Sequence, residues 1–76
     1  PTKYYLRIVE PYMSFFDERY PYLNMSKQTR KICIDSKNET HFWKTIFTEE
    51  EINELAKEYD LSLFEKVEVE DEEVEK

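Results

Sequence analysis

The sequence contains no glycine among its 76 residues. Average usage would give about 7% glycine, so its absence argues against glycine-rich phosphate loops and against tight hairpin turns that need positive φ angles. Asparagine, aspartate, serine and proline are left to form the turns. The single cysteine, Cys33, excludes an intramolecular disulfide, agrees with a reducing compartment and weakens any prediction of a zinc site.

The sequence also lacks an apolar run of about 18 residues, the length that a membrane-spanning helix needs. It opens without the charged and apolar leader of an exported protein, so we expect a soluble, cytoplasmic protein that does not enter a membrane. A chain of 76 residues is too short to divide into two cores. We therefore expect one domain, residues 1–70, followed by an acidic disordered tail, residues 71–76.

Charge is distributed unevenly along this acidic chain, whose formal net charge is -7. Residues 26–44 carry five bases and two acids, residues 49–60 carry six acids and one base, and residues 65–76 carry seven acids and two bases. The folded body is therefore predicted to combine a basic turn with an acidic helix. Aromatic residues make up 16% of the chain, which is too many for a disordered chain, so they are buried or bound to a partner.

Residues 47–52 have the pattern of a helix start. Thr48 is placed to cap the first turn and Glu51 follows at the spacing of a capping box, while Phe47 and Ile52 flank them as a hydrophobic staple. Glutamates in the first turn also suit the positive end of the helix dipole. The apolar residues that follow define one helical stripe: Ile52, Leu55, Ala56 and Tyr59.

Alternating apolar residues predict strands on both sides of this helix. The predicted strands cover residues 3–10, 22–25, 31–35 and 63–70, the last of them at or near the first. Residues 41–46 form either a fourth short strand or an extended approach to the helix. The predicted fold class is α+β: a small, mostly antiparallel sheet of four to five strands packed on one amphipathic helix, in the order β-β-β-(β)-α-β.

Several of these segments resemble a known family. The stretches that carry the resemblance are residues 4–8, 22–24, 43–52 and 64–70. Over most of residues 4–70 the chain is similar to an uncharacterised family of small phage and prophage proteins from low-GC Gram-positive bacteria. The resemblance implies a phage or prophage origin and the cytoplasm of a bacterial host cell, and it transfers no catalytic residues because none is assigned to the family.

The stretch from Pro11 to Pro21 is longer and more aromatic than the connection expected for that family. So many aromatic side chains cannot all face inward in a small body, and an exposed aromatic cluster marks an interface. The alternative is a flap in which Phe15 and Phe16 fold back over the sheet. The acidic helix face is a second interface candidate, because it presents charge like that of phosphates. The predicted interface residues are Tyr12, Phe15, Phe16, Tyr20, Glu50, Glu54 and Glu58.

The basic turn supplies an alternative prediction, a small nucleic-acid-binding module. Its bases would contact phosphates while Tyr22, Phe42 or Trp43 stacks on the nucleic-acid bases. The predicted phosphate contacts are Lys27, Arg30, Lys31 and Lys37. The acidic net charge disfavours this alternative, because the turn would have to be isolated from the helix and the tail.

No pattern predicts a catalytic, cofactor or metal site. Glu50 and Glu54 share a helix face but lack a nucleophile or oxyanion donor, so solvated helix surface explains them. Cys33 and His41 are explained by a partly buried strand cysteine and a turn-adjacent histidine. We therefore expect a non-enzymatic phage or prophage accessory protein that acts through protein contacts, either as a homodimer or on a host factor.

Overall fold

A computed structural model describes residues 2–69 of the chain. Its elements are β1 (Lys3–Ile8), α1 (Glu10–Met13), β2 (Tyr22–Ser26), β3 (Ile32–Asp35), β4 (Trp43–Lys44), β5 (Phe47–Thr48), α2 (Glu49–Glu58) and β6 (Phe64–Glu68). The six strands form one antiparallel sheet against which α2 packs, so the predicted α+β class is confirmed. The predicted tail, residues 71–76, lies outside the described residues. No helix within the described part of the chain is long and apolar enough to cross a membrane.

β1 is the centre of the sheet because three strands pair with it. β6 runs antiparallel along most of its length, with Leu6 opposite Lys66, as expected for the last strand. On the other side, β5 pairs with the start of β1, and β2 pairs with its end, where Arg7 lies opposite Tyr22. β3 then pairs with β2 and forms the far edge of the sheet.

The hydrophobic core lies between α2 and one face of the sheet. Leu6 on β1 and Leu23 on β2 face this core because alternate residues of a strand point to opposite faces. From α2, Ile52 and Leu55 complete it, as the helical stripe predicts, whereas Ala56 is exposed. The buried cluster consists of Leu6, Leu23, Met25, Phe47, Ile52 and Leu55.

The start of α2 is the capping box that the sequence predicts. The N–H of Glu51 donates to Thr48 Oγ1 at 3.2 Å, and the N–H of Thr48 donates to Glu51 Oε1 at 2.9 Å. Burial raises the pKa of Glu51, but the Thr48 N–H and the Lys44 ammonium, 3.4 Å away, outweigh it and hold that pKa below its ordinary value. The cap therefore joins the start of the helix to β4.

The sheet has six strands rather than four to five because residues 41–48 contribute two very short ones. In β4, Lys44 lies opposite Met25, and in β5, Phe47 lies opposite Tyr4. A two-residue strand leaves no alternation to recognise, since that pattern takes about four residues to appear. The first strand also ends at Ile8 rather than residue 10, because α1 begins at Glu10 with proline in its first turn.

The turn between β2 and β3 shows how this chain reverses without glycine. The hydroxyl of Ser26 accepts hydrogen bonds from the N–H groups of Gln28 and Thr29, at 3.2 and 3.1 Å. Arg30 then takes the left-handed conformation, with φ of 65°, that glycine favours. The hydroxyl of Tyr59 donates to Arg30 O at 3.0 Å, which ties this turn to the end of α2.

Candidate functional site

Residues 11–21, the aromatic loop, connect the end of β1 to the start of β2. The N–H of Ile8 donates to Pro21 O at 2.9 Å, so the two ends of the loop meet at the sheet. Within the loop, the N–H of Phe16 donates to Met13 O at 3.0 Å. A surface loop whose ends meet and whose bonds are mostly internal has the geometry of an Ω-loop, a class that frequently carries function.

The aromatic loop presents its rings to solvent. Phe15 is 78% exposed, and the other three rings are between 37% and 46% exposed. None of the four belongs to the buried core cluster. Phe15 is therefore not part of a flap over the sheet core, and the loop forms an exposed aromatic surface. Its residues are Tyr12, Phe15, Phe16 and Tyr20.

An exposed ion pair lies in the second half of this loop. Both Arg19 Nε and Arg19 Nη2 donate to the carboxylate of Asp17 at 3.1 Å, and the guanidinium lies 5.4 Å from the ring centroid of Tyr20. These hydrogen bonds from Arg19 lower the pKa of Asp17. Arginine and tyrosine are the residue types that most often dominate binding energy at protein interfaces.

Leu63, from a distant part of the sequence, is an exposed apolar residue near the base of the aromatic loop. The N–H of Val9 donates to Leu63 O at 2.8 Å, so Leu63 lies beside the base of the aromatic loop. Its side chain is exposed. Sequence reasoning missed this residue because alternation placed it on one face of a strand with Val67 and Val69, and no local signal separates it from them.

The acidic helix face carries the other predicted interface residues, Glu50, Glu54 and Glu58, all exposed. Two of these acids already have a cation nearby. Glu58 Oε1 accepts from Arg30 Nη2 at 2.9 Å, and Glu54 Oε1 accepts from Lys57 Nζ at 3.1 Å. Glu50 and Glu54 also border a shallow cavity of about 470 Å³ between the helix and the sheet. The negative charge of this helix face is therefore partly neutralised within the chain, and less of it is available to a partner than the sequence indicates.

The structure separates the aromatic loop from the Arg30–Glu58 pair. The loop meets the sheet at the Tyr22 end of β2. The pair lies at the opposite end of β2, where the N–H of Arg30 donates to Ser26 O at 2.9 Å. The aromatic loop and the Arg30–Glu58 pair therefore belong to two separate surfaces.

The basic turn is partly neutralised by acids from elsewhere in the chain. Lys27 Nζ lies 3.8 Å from Glu39 Oε2, and Arg30 is bound to Glu58 as described. The isolation from acidic segments that phosphate binding requires is therefore not achieved at these two bases.

The remaining two predicted phosphate contacts lie apart from the turn. The Lys37 ammonium is 5.6 Å from the ring centroid of Tyr5, whose neighbour Leu6 faces the core, so Lys37 lies on the sheet face opposite α2. Lys31 is exposed where the chain enters β3. The four bases do not form one continuous positive patch.

A groove beside the basic turn does bring together one base and two aromatic residues. It has a volume of about 550 Å³ and is bordered by Lys27, Phe42 and Trp43. Phe42 is 68% exposed, and its carbonyl accepts the Lys27 N–H at 3.0 Å. These are the side chains that the nucleic-acid alternative requires, although only Lys27 of the four predicted bases borders the groove.

Cys33 and His41 occupy different surroundings. Cys33 lies on β3 opposite Asn24, whereas the ring of His41 contacts that of Phe42 edge-on at 5.3 Å between centroids. Desolvation of the sulfur by the atoms next to it, and the charge of the neighbouring Asp35, raise the pKa of the Cys33 thiol. Cys33 is exposed rather than partly buried as expected, and a raised thiol pKa is the opposite of what nucleophilic activation needs.

The chain was compared with known families, characterised proteins and solved structures. None of them matches it. The resemblance to phage and prophage proteins therefore stays a prediction, and the functional argument depends on the surfaces described above.

Proposed function

We propose that this chain is a non-enzymatic accessory protein, of phage or prophage origin, that binds another protein through its aromatic loop. The observation that supports this most is the 78% exposure of Phe15 in a loop whose two ends are hydrogen-bonded together. Exposed aromatic side chains on a constrained backbone bind with little loss of conformational entropy. Burying one phenylalanine side chain contributes about 1.5–3 kcal/mol, the size of an interface hot spot.

The partner is either a second copy of the chain or a protein of the host cell. Phe15 and Leu63 provide apolar surface, and Arg19 beside Tyr20 provides a cation held next to a ring. A partner that fits this surface has an apolar hollow for Phe15 with hydrogen-bond acceptors at its rim.

The test replaces Phe15 and Phe16 together by serine and compares this variant with Phe42→Ser. Phe42 is a matched control because it is an exposed phenylalanine outside the loop. Sedimentation velocity over a concentration series measures self-association. A photo-crosslinking residue at position 15, used in bacterial host cells, identifies a host partner by mass spectrometry.

We expect the loop variant to keep its circular dichroism spectrum while losing self-association or host-protein binding, and the control to keep both. Two results together would contradict the proposal: self-association of the loop variant that equals that of the wild type, and crosslinks at position 15 that competition with the Phe15→Ser, Phe16→Ser protein reduces as well as the wild type does.

Nucleic-acid binding is the second candidate, and the groove formed by Lys27, Phe42 and Trp43 favours it. Its test is a gel shift with single- and double-stranded probes at low salt, where phosphate contacts are strongest. If the groove binds nucleic acid, replacing Lys27, Arg30 and Lys31 by glutamate abolishes the shift, and binding quenches the fluorescence of Trp43. Absence of a shift with every probe removes this candidate.

A further inference from the structure

β3 forms an open edge of the sheet, since within residues 2–69 it pairs only with β2. The N–H of Ser26 donates to Lys31 O at 2.8 Å, which fixes the phase of the ladder. Bonded and non-bonded pairs alternate along an antiparallel ladder, so Cys33 also directs its backbone groups toward β2. Ile32 and Ile34 direct theirs outward, away from the sheet.

This edge carries few of the features that keep exposed strands from pairing. It contains no proline, and its register with β2 runs without a bulge. Natural edges are commonly protected by proline, bulges, charged side chains or short length, and of these the β3 edge has only its length of four residues and two charges. Here the charged residues are Lys31 and Asp35, of opposite sign and equally spaced on either side of Cys33.

We propose that β3 pairs antiparallel with β3 of a second copy of this chain, across a two-fold axis at Cys33. In this register Cys33 lies opposite the partner's Cys33, and Ile32 lies opposite the partner's Ile34. The outward backbone groups of the isoleucines then form the hydrogen-bonded pairs, as the phase of the ladder requires. The two sheets become one continuous sheet.

Charge complementarity selects this register and a second copy as the occupant. Lys31 lies opposite the partner's Asp35, and two-fold symmetry repeats the contact. Both Lys31–Asp35 contacts fall at positions where the facing residues are not hydrogen-bonded to each other. The Cα atoms of such pairs are only about 4.5 Å apart, so the two side chains lie close together. Opposite charges facing each other across strands stabilise pairing and like charges oppose it. A shift by one residue would place the isoleucines opposite residues of the other sheet face.

The other sheet edge, β6, does not fit a second copy in the same way. Lys66 is already bound to Glu49 on α2, with Nζ to Oε1 at 2.9 Å. Residues 65–76 carry seven acids and two bases, so two copies side by side would repel each other. The β3 edge, with Asp35 at its end and Lys31 directly before its start, is the edge that tolerates its own copy.

The proposed dimer uses a surface separate from the aromatic loop. The loop lies between β1 and β2, whereas β3 pairs with the opposite side of β2. A dimer through β3 therefore leaves both loops free and gives the assembly two copies of the binding surface. The inference does not rest on the proposed function: a dimer can form whether or not the loop binds another protein.

Charge reversal tests the proposal by sedimentation over a concentration series. Lys31→Glu and Asp35→Lys, each alone, replace two attractive contacts by two repulsive ones and are expected to weaken dimerisation about tenfold or more. The double variant Lys31→Glu with Asp35→Lys restores the pairing and returns the dissociation constant to within about threefold. Lys57→Glu is the control, since it makes the same change of charge on α2, away from the edge.

Oxidative cross-linking provides a second measurement. Oxygen with copper phenanthroline, at a pH high enough to ionise the thiol, removes two electrons and two protons from the two Cys33 thiols and joins the sulfurs. The wild type is expected to form this disulfide and Lys31→Glu to form much less. A wild-type monomer without the cross-link, or a dimer whose affinity the reversals leave unchanged, would overturn the proposal. A dimer that persists in Phe15→Ser with Phe16→Ser supports it and leaves the loop for a different protein.

Discussion

The start of α2 and the aromatic loop are both rich in side chains of the kinds that bind partners. At the start of α2 these side chains bond within the fold, whereas in the loop they are exposed. At the start of α2, Thr48 and Glu51 satisfy each other's backbone groups, and Ile52 enters the core. In the loop, Phe15 and Tyr12 lie outside the core cluster and are 78% and 46% exposed. A dense cluster of charged or aromatic residues therefore indicates a binding surface only where the fold does not already use it.

The acids of α2 illustrate the same contrast. Glu49 accepts from Lys66 at 2.9 Å, Glu51 lies 3.4 Å from Lys44, and Glu58 accepts from Arg30 at 2.9 Å. These pairs connect the helix to β6, to β4 and to the turn before β3. They are exposed or half-exposed, so each contributes at most about 1 kcal/mol, and their combined effect is to set the position of the helix.

The largest expected effect on stability comes from Phe47→Ala, which truncates a core side chain in the scaffold formed by the sheet and α2. Phe47 is almost completely buried between the sheet and α2, so truncation leaves a cavity and lowers the free energy of unfolding by about 3–5 kcal/mol. Urea denaturation followed by circular dichroism measures the loss. The control Phe42→Ala removes an exposed ring and is expected to change stability by less than about 0.5 kcal/mol. Equal losses in the two variants would contradict the assigned core.

A smaller effect is expected from Thr48→Ala, which removes one half of the capping box. The N–H of Glu51 loses its acceptor, and the free energy of unfolding falls by about 1 kcal/mol. Thr48→Ser keeps the hydroxyl and is expected to lose less than half as much in the same urea titration. If alanine and serine have the same effect, the hydroxyl is not the cap.

Glu51, the other half of the capping box, is expected to make the stability of the fold depend on pH. Because the folded state holds the pKa of Glu51 below its ordinary value, its carboxylate stabilises the fold above the unfolded pKa, about 4.3, and this contribution is lost as pH falls through the folded pKa. Glu51→Gln is therefore expected to be less stable than the wild type at pH 7, by about 0.5 kcal/mol for so exposed a group. Urea midpoints at pH 7 and below pH 4 test this, and a stability difference that does not shrink in acid would refute it.

The smallest effect on stability is expected at the aromatic loop, in Phe15→Ser. The side chain is 78% exposed and lies outside the core cluster, so the free energy of unfolding should change by less than about 0.5 kcal/mol. A thermal or urea melt measures this. A loss above about 1.5 kcal/mol would show that Phe15 packs on the sheet and would end the distinction between loop and scaffold.

Local patterns predicted most of the fold. Three of these patterns each depend on about ten residues of sequence or fewer, and each is confirmed: the capping box, the helical stripe of Ile52 and Leu55, and the alternation in the longer strands. β4 and β5 were missed because each is defined by its backbone pairing with another strand, β2 or β1, and not by a pattern in its own two residues.

Less of the candidate site was predictable, because its decisive contacts join distant residues. Arg30 and Glu58 are 28 positions apart, and nothing in either segment indicates that they pair. The same holds for Leu63 beside Val9. The sequence identified the aromatic loop as unusual, and the exposure of Phe15 required the surrounding fold. Its binding role stays a prediction.

The pairing of β1 with β6 has a consequence for how the chain reaches this fold. Arg7 and Glu65 meet across these strands although 58 positions separate them, so the central strand gains its longest neighbour only from the far end of the described chain. Contacts between such distant residues slow folding. During synthesis β1 leaves the ribosome before β6 and lacks this neighbour until Phe64–Glu68 follows. A nascent chain shortened before Phe64 therefore exposes the middle of its own sheet, which makes it a substrate for chaperones and aggregation.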